Sequence, residues 1–140
     1  MNVKRLFLAC LAAFAVIFVF EFLLHGVLLK NAYMHLPRAM MRPEAEFQRY
    51  FGLLIIGQLL VAFALTLVFA LGFAARGVGA GLRVGLIFGV IYFGTNLITY
   101  AVQPFPGKMV AAWTIGGFVE MAIAGALVGA IYKPAATSLT

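Results

Sequence analysis

Residues 6–29, LFLACLAAFAVIFVFEFLLHGVLL, decide the fold, because this run is apolar throughout except at Glu21 and His25. About 20 such residues at a rise of about 1.5 Å each are enough to carry a helix across the hydrocarbon of a bilayer. Two titratable groups inside it need partners from elsewhere in the chain. A charge at the centre of a bilayer costs several kcal/mol and faces a bundle interior or a wet cavity. Glu21 and His25 are four apart, so on a helix they share one face and can bond to each other or to a common partner.

Three further apolar runs follow, over residues 51–73, 82–102 and 109–132. The 140 residues are 65% hydrophobic and 10% charged, which excludes an ordinary soluble domain: its helices would be apolar on every face with nothing polar to cover them. The sequence therefore predicts an all-α fold. It is a polytopic membrane protein, an antiparallel four-transmembrane-helix bundle, with one domain over residues 1–140 and a short interfacial segment between helices 1 and 2. Lys4 and Arg5 before an apolar stretch imitate a signal peptide, but the apolar character runs on to Leu29, so the segment is expected to be a retained span. Cys10, the single cysteine, excludes an intrachain disulfide and CxxC chemistry and is expected to be a buried small residue.

Ten Lys and Arg stand against four Glu, a net charge of +6. The basic residues flank the apolar runs, so they predict contact with the lipid bilayer and its anionic headgroups, and no nucleic acid partner. Residues 31–50 are the only sustained polar segment, with His35, Arg38, Arg42, Glu44, Glu46 and Arg49, interrupted by Pro37 and Pro43. A short interfacial helix or lid is expected there, with Arg38, Arg42 and Arg49 facing lipid headgroups or covering the bundle. Lys and Arg divide five to each side of an antiparallel bundle: Lys4, Arg5, Arg76, Arg83 and Lys133 against Lys30, Arg38, Arg42, Arg49 and Lys108. The charges beside the first span favour cytoplasmic termini, and the tie also permits dual insertion.

Residues 74–81 suggest a tight glycine-rich connection. Gly77, Gly81, Gly85 and Gly89 recur at intervals of four, and Gly117, Met121, Gly125 and Gly129 form a second stripe. Small residues let helix backbones approach, which in lipid replaces the missing hydrophobic drive. Gly81, Gly85, Gly89, Gly117, Gly125 and Gly129 are therefore expected at helix contacts. One stripe would serve the bundle and the other an external contact, in a homo-oligomer or a larger membrane protein complex.

Antiparallel packing puts the end of helix 1, the start of helix 2, the end of helix 3 and the start of helix 4 on one side. Glu21 then lies about 12 Å in from that edge, Gln58 and Asn96 about 10 Å, and Glu120 about 16 Å, with His25 shallower. Glu21, His25, Gln58, Asn96 and Glu120 are expected to form one polar intramembrane cluster under the loop. Glu21 and Glu120 suit either a hydrogen bond between helices or a proton- or cation-binding site. His25 suits a bond to Glu21 or a backbone carbonyl better than a metal, and a haem would need His25 from two copies or His35. No phosphate loop, nucleophile elbow, HExxH or Ser-His-Asp order is present, so no catalytic residue is assigned, and cofactor and metal are left open.

Phe20-Glu21-Phe22-x-x-His25-Gly26-x-Leu28-Leu29, Tyr33, Arg42-Pro43-x-x-Glu46, the glycine-rich third run and the stretch from Trp113 to Lys133 together resemble a group of small four-helix bacterial integral membrane proteins of unknown function. The resemblance covers most of the chain. It implies a compact, multi-pass protein of the bacterial inner membrane and brings no activity or ligand. Three functions fit these residues: an accessory or self-associating subunit, a proton-coupled transporter or ion conductor, and an intramembrane cofactor or metal binder.

Overall fold

The computed structural model describes residues 1–73 and 77–134. The expected tail at 135–140 and residues 74–76 of the expected connection, Arg76 among them, lie outside the described residues. Within them, four helices are long and apolar enough to cross a membrane, in an all-α bundle.

Helix α1, Val3–Glu21, starts where the Asn2 side chain accepts a hydrogen bond from the Arg5 N–H. It runs directly into a π-helical segment, Phe22–Leu28, and then into one short turn, α2, Lys30–Met34. A 3₁₀ turn, Arg38–Met40, sits between Pro37 and Pro43, which supply extended backbone on either side of it. The segment after the first span is thus two separate turns.

Helix α3, Glu44–Gly72, begins well before the apolar run at residue 51. Pro43 caps it, and Glu44 and Glu46 in its first turn complement the helix dipole. Hydropathy marks where a helix becomes apolar, and the cap marks where it begins. Helix α4, Gly77–Val102, likewise takes in residues 77–81, expected as a connection. Gly77 enters at φ 65°, a left-handed conformation open mainly to glycine. After Pro104 and Pro106, α5 covers Gly107–Ile131.

Helix α5 is the hub: it packs along α4, then against α1, while α1 packs on α3 and α3 closes lightly on α4 and α5. At the end holding the termini, Arg5 donates to the Ile131 carbonyl (3.3 Å), and Tyr132 packs edge-on against Phe69. Cys10 is buried in this half of the core, as expected.

The glycine stripes meet each other. A Cβ at Gly81 would lie 2.9 Å from the Gly129 backbone, one at Gly85 2.9 Å from the Met121 carbonyl carbon, and one at Gly125 2.8 Å from the Gly85 backbone. One α4–α5 seam therefore uses Gly81, Gly85, Gly125 and Gly129, which corrects the expectation of a spare stripe for an outside partner. Gly89 and Gly117 also differ from expectation, since each accommodates an aromatic ring, Phe118 and Tyr92 respectively, instead of a helix backbone.

Candidate functional site

Trp113, Gly116, Gly117 and Glu120 fall at i, i+3, i+4 and i+7 on α5, so they line one face. The two glycines between the indole and the carboxyl act as notches. A Cβ at Gly116 would stand 2.5 Å from the Leu24 side chain, and one at Gly117 2.5 Å from the Tyr92 ring. Leu24 arrives from the π-helical segment and Tyr92 from α4, and their neighbours bring the polar groups together.

The Tyr92 hydroxyl donates to Glu21 Oε1 (3.2 Å), and His25 Nε2 lies 3.3 Å from Glu21 Oε2. On its other side, His25 Nδ1 meets the Tyr33 hydroxyl at 2.5 Å, and Trp113 Nε1–H donates to that hydroxyl at 2.8 Å. Tyr33 has one proton to give, and the indole can only donate. With a neutral imidazole protonated on Nε2, the Tyr33 O–H can donate to Nδ1 while the ring N–H is aimed at Glu21. The three rings stack with centroids 5.8–6.4 Å apart, and Phe105 covers Trp113 edge-on at 5.0 Å. Burial pushes the Tyr33 hydroxyl up to about 12, with the Glu21 charge adding to the rise and the Trp113 bond opposing it.

Glu120 ends the chain of contacts. Its side chain is 1% exposed, against 19% for Glu21 and 32% for His25. The Glu120 carboxyl is a close neighbour of Glu21, and its Oε2 is buried without a hydrogen-bond partner. Two carboxylates have no proton to donate, so a hydrogen bond between them needs one proton held in the pair.

The π-helical segment sets this geometry. Its Leu29 N–H donates to the Leu24 carbonyl at 2.9 Å, a five-residue step that adds a residue to the turn carrying His25. Such turns gather at functional sites.

The structure thus brings together Glu21, His25 and Glu120 of the expected cluster. Asn96 belongs elsewhere: its amide donates to the Thr114 hydroxyl at 3.4 Å. Gln58 makes no hydrogen bond with the cluster among the described residues, and its amide oxygen is buried without a partner. Agreement in depth placed both near the cluster, but Asn96 is taken up by Thr114 and the Gln58 amide oxygen meets no polar group.

The expected cover also differs. Arg42 pairs with Glu46 at 2.7 Å and lies 4.0 Å over the Tyr50 ring, a local arrangement at the start of α3. Tyr33, Trp113 and Phe105 cap the cluster instead. Sequence reasoning gave Trp113 no part in the cluster and missed Tyr92. Their signal was the Trp113-x-x-Gly116-Gly117-x-x-Glu120 spacing, two turns of one face with room cut out between the polar ends.

His35 Nδ1 bonds the Asn31 carbonyl at 2.7 Å, and among the described residues no three His, Cys, Asp or Glu side chains converge as metal ligands would. No family model, curated protein or solved structure matches the chain. What the fold and site define is therefore a class: a helical bundle compatible with a multi-pass membrane protein, with two neighbouring carboxyl groups, Glu21 and the buried Glu120, inside it.

Proposed function

We propose that the protein is a small proton-handling membrane protein, a proton-coupled transporter or proton conductor, whose proton sits between Glu21 and Glu120. One observation carries this reading. A continuous series of polar contacts runs from Trp113 and Tyr33 through His25 to Glu21, and beside Glu21 stands a Glu120 that is 1% exposed. Intramembrane acids and histidines in such series are the usual parts of proton relays. The bacterial inner membrane, suggested by the resemblance of its motifs, is the proposed location, with the termini on the cytoplasmic side. The accessory-subunit reading drew on a spare glycine stripe, and the α4–α5 seam takes up both stripes.

Purified protein in lipid vesicles containing a trapped pH indicator tests the proposal. An imposed pH gradient should collapse faster than in empty vesicles, and Glu21→Gln or Glu120→Gln should slow that flux by about 100-fold, the scale of a lost proton-transfer group. Flux that is absent, or indifferent to both substitutions, would remove the reading.

A further inference from the structure

The geometry points to one-sided access: protons reach the Glu21–Glu120 pair only from the compartment facing the 31–50 loop, and His25 is the group that passes them in. This inference rests on the proton-handling reading for its purpose, but its geometry stands separately.

The bundle is asymmetric about the pair. Towards the loop, each step has a group able to give and take a proton: the Tyr33 hydroxyl, the imidazole of His25, then the Glu21 carboxylate. His25 lies about a turn and a half before Lys30, and its side chain is 32% exposed, so it stands between the headgroup level and the buried pair.

Towards the termini the relay stops. Ile17, Leu65, Phe69, Val84, Ala124 and Val128 fill that half at 2% exposure or less. From Ile17 back to Ala9 this packed layer is about 12 Å deep. Among the described residues the polar side chains buried there are Thr66, whose hydroxyl donates to the Ala62 carbonyl at 2.8 Å, the Cys10 thiol, and the Tyr132 hydroxyl at the far end, which accepts from the Asn2 N–H at 3.4 Å. None of them makes a hydrogen bond to Glu120 or to another of the three, so they form no relay.

The relay step balances. Tyr33 gives its hydroxyl proton to His25 Nδ1 and takes one from the loop side. The Nε2 proton then passes to Glu21 Oε2, which leaves the imidazole neutral in the other tautomer. One proton has then left the loop side and one has reached Glu21, and the imidazole regains its first tautomer by ring rotation and exchange of its single N–H proton, with no net gain or loss. Against His25 stand Glu21 on α1, Tyr33 on α2 and Trp113 on α5. Glu21 is the acid among them and Glu120 lies beyond it, so His25 is a positioning and relay residue for the pair.

Trp113 is the chain's single tryptophan, and its ring centroid lies 6.2 Å from that of His25, so its emission reports protonation of the imidazole. In vesicles whose orientation is read by protease access to the 31–50 loop, an acid jump on the loop side should quench Trp113 within the mixing time. The same jump on the side of the termini should act at least tenfold more slowly. His25→Gln, which keeps a hydrogen-bonding side chain, should abolish the quench. His25→Ala should lose most proton flux and regain it with imidazole supplied on the loop side. Equal responses from both sides, or quenching that persists in His25→Gln, would overturn the inference. A sided Trp113 response without any proton flux would uphold the access route and remove the transport reading.

Discussion

Replacing Gly85 by Ala places one carbon at the tightest part of the α4–α5 seam. That Cβ would lie 2.9 Å from the Met121 carbonyl carbon and 3.2 Å from the Ala122 Cα, with the Met121 carbonyl oxygen nearer still. All three atoms are backbone, so no rotamer change relieves the contact and the helices must separate. A gap of about 0.5–1 Å forfeits a quarter to a half of each dispersion contact along the seam. Overpacking of this kind costs about 1–3 kcal/mol. Working against it, Ala gains about 0.5–1 kcal/mol over Gly within a helix. Gly94, on the same helix, has nothing within 4 Å of its added carbon, so Gly94→Ala isolates that gain. Gly85→Ala should therefore be less stable than Gly94→Ala by about 1–3 kcal/mol. Reversible unfolding in mixed micelles, followed by helical circular dichroism, measures the difference. Equal stability of the two variants would refute a glycine seam between α4 and α5.

Other substitutions probe the site. Gly85→Ala and Gly125→Ala act on one seam, so the double variant should be less destabilised than the sum of the singles, as a double-mutant cycle would show. Tyr92→Phe removes the donor to Glu21 Oε1 and should cost about 1–2 kcal/mol in the same unfolding assay. Gly117→Ala displaces the Tyr92 ring and should slow vesicle proton flux as Tyr92→Phe does, although it alters no polar group. The Tyr33 hydroxyl stands at about 12 against an ordinary 10.0. Because the folded value is the higher, its contribution is complete below pH 10 and lost as pH rises from 10 towards 12. Stability between those limits should fall more steeply for the native chain than for Tyr33→Phe.

Length and hydropathy were enough to read the four apolar helices and their antiparallel order, because each run of Leu, Ile, Val, Ala and Phe has few other places to go. The ends of α3 and α4 were not legible in the same way. Glu44 and Gly77 begin helices for reasons of capping and backbone conformation, which hydropathy does not record. Within the site, the i, i+4 spacing of Glu21 and His25 was sufficient to predict their contact. Depth alone brought Glu120 to the same level and grouped Asn96 and Gln58 with it, because depth does not say which neighbour a side chain meets, and Asn96 meets Thr114. Gly117 shows where the missing information lay: its period suited a packing stripe, and only the partner across the seam reveals a notch for the Tyr92 ring.

The infrared carboxyl stretch of the protein in lipid at neutral pH tests the shared proton most directly. A proton held between Glu21 and Glu120 predicts a protonated-carboxyl band in the native chain. That band should shift in Glu21→Gln and in Tyr92→Phe, and disappear in Glu120→Gln. A native spectrum without the band, or a band indifferent to all three substitutions, would contradict the carboxyl pair as the protein's proton site.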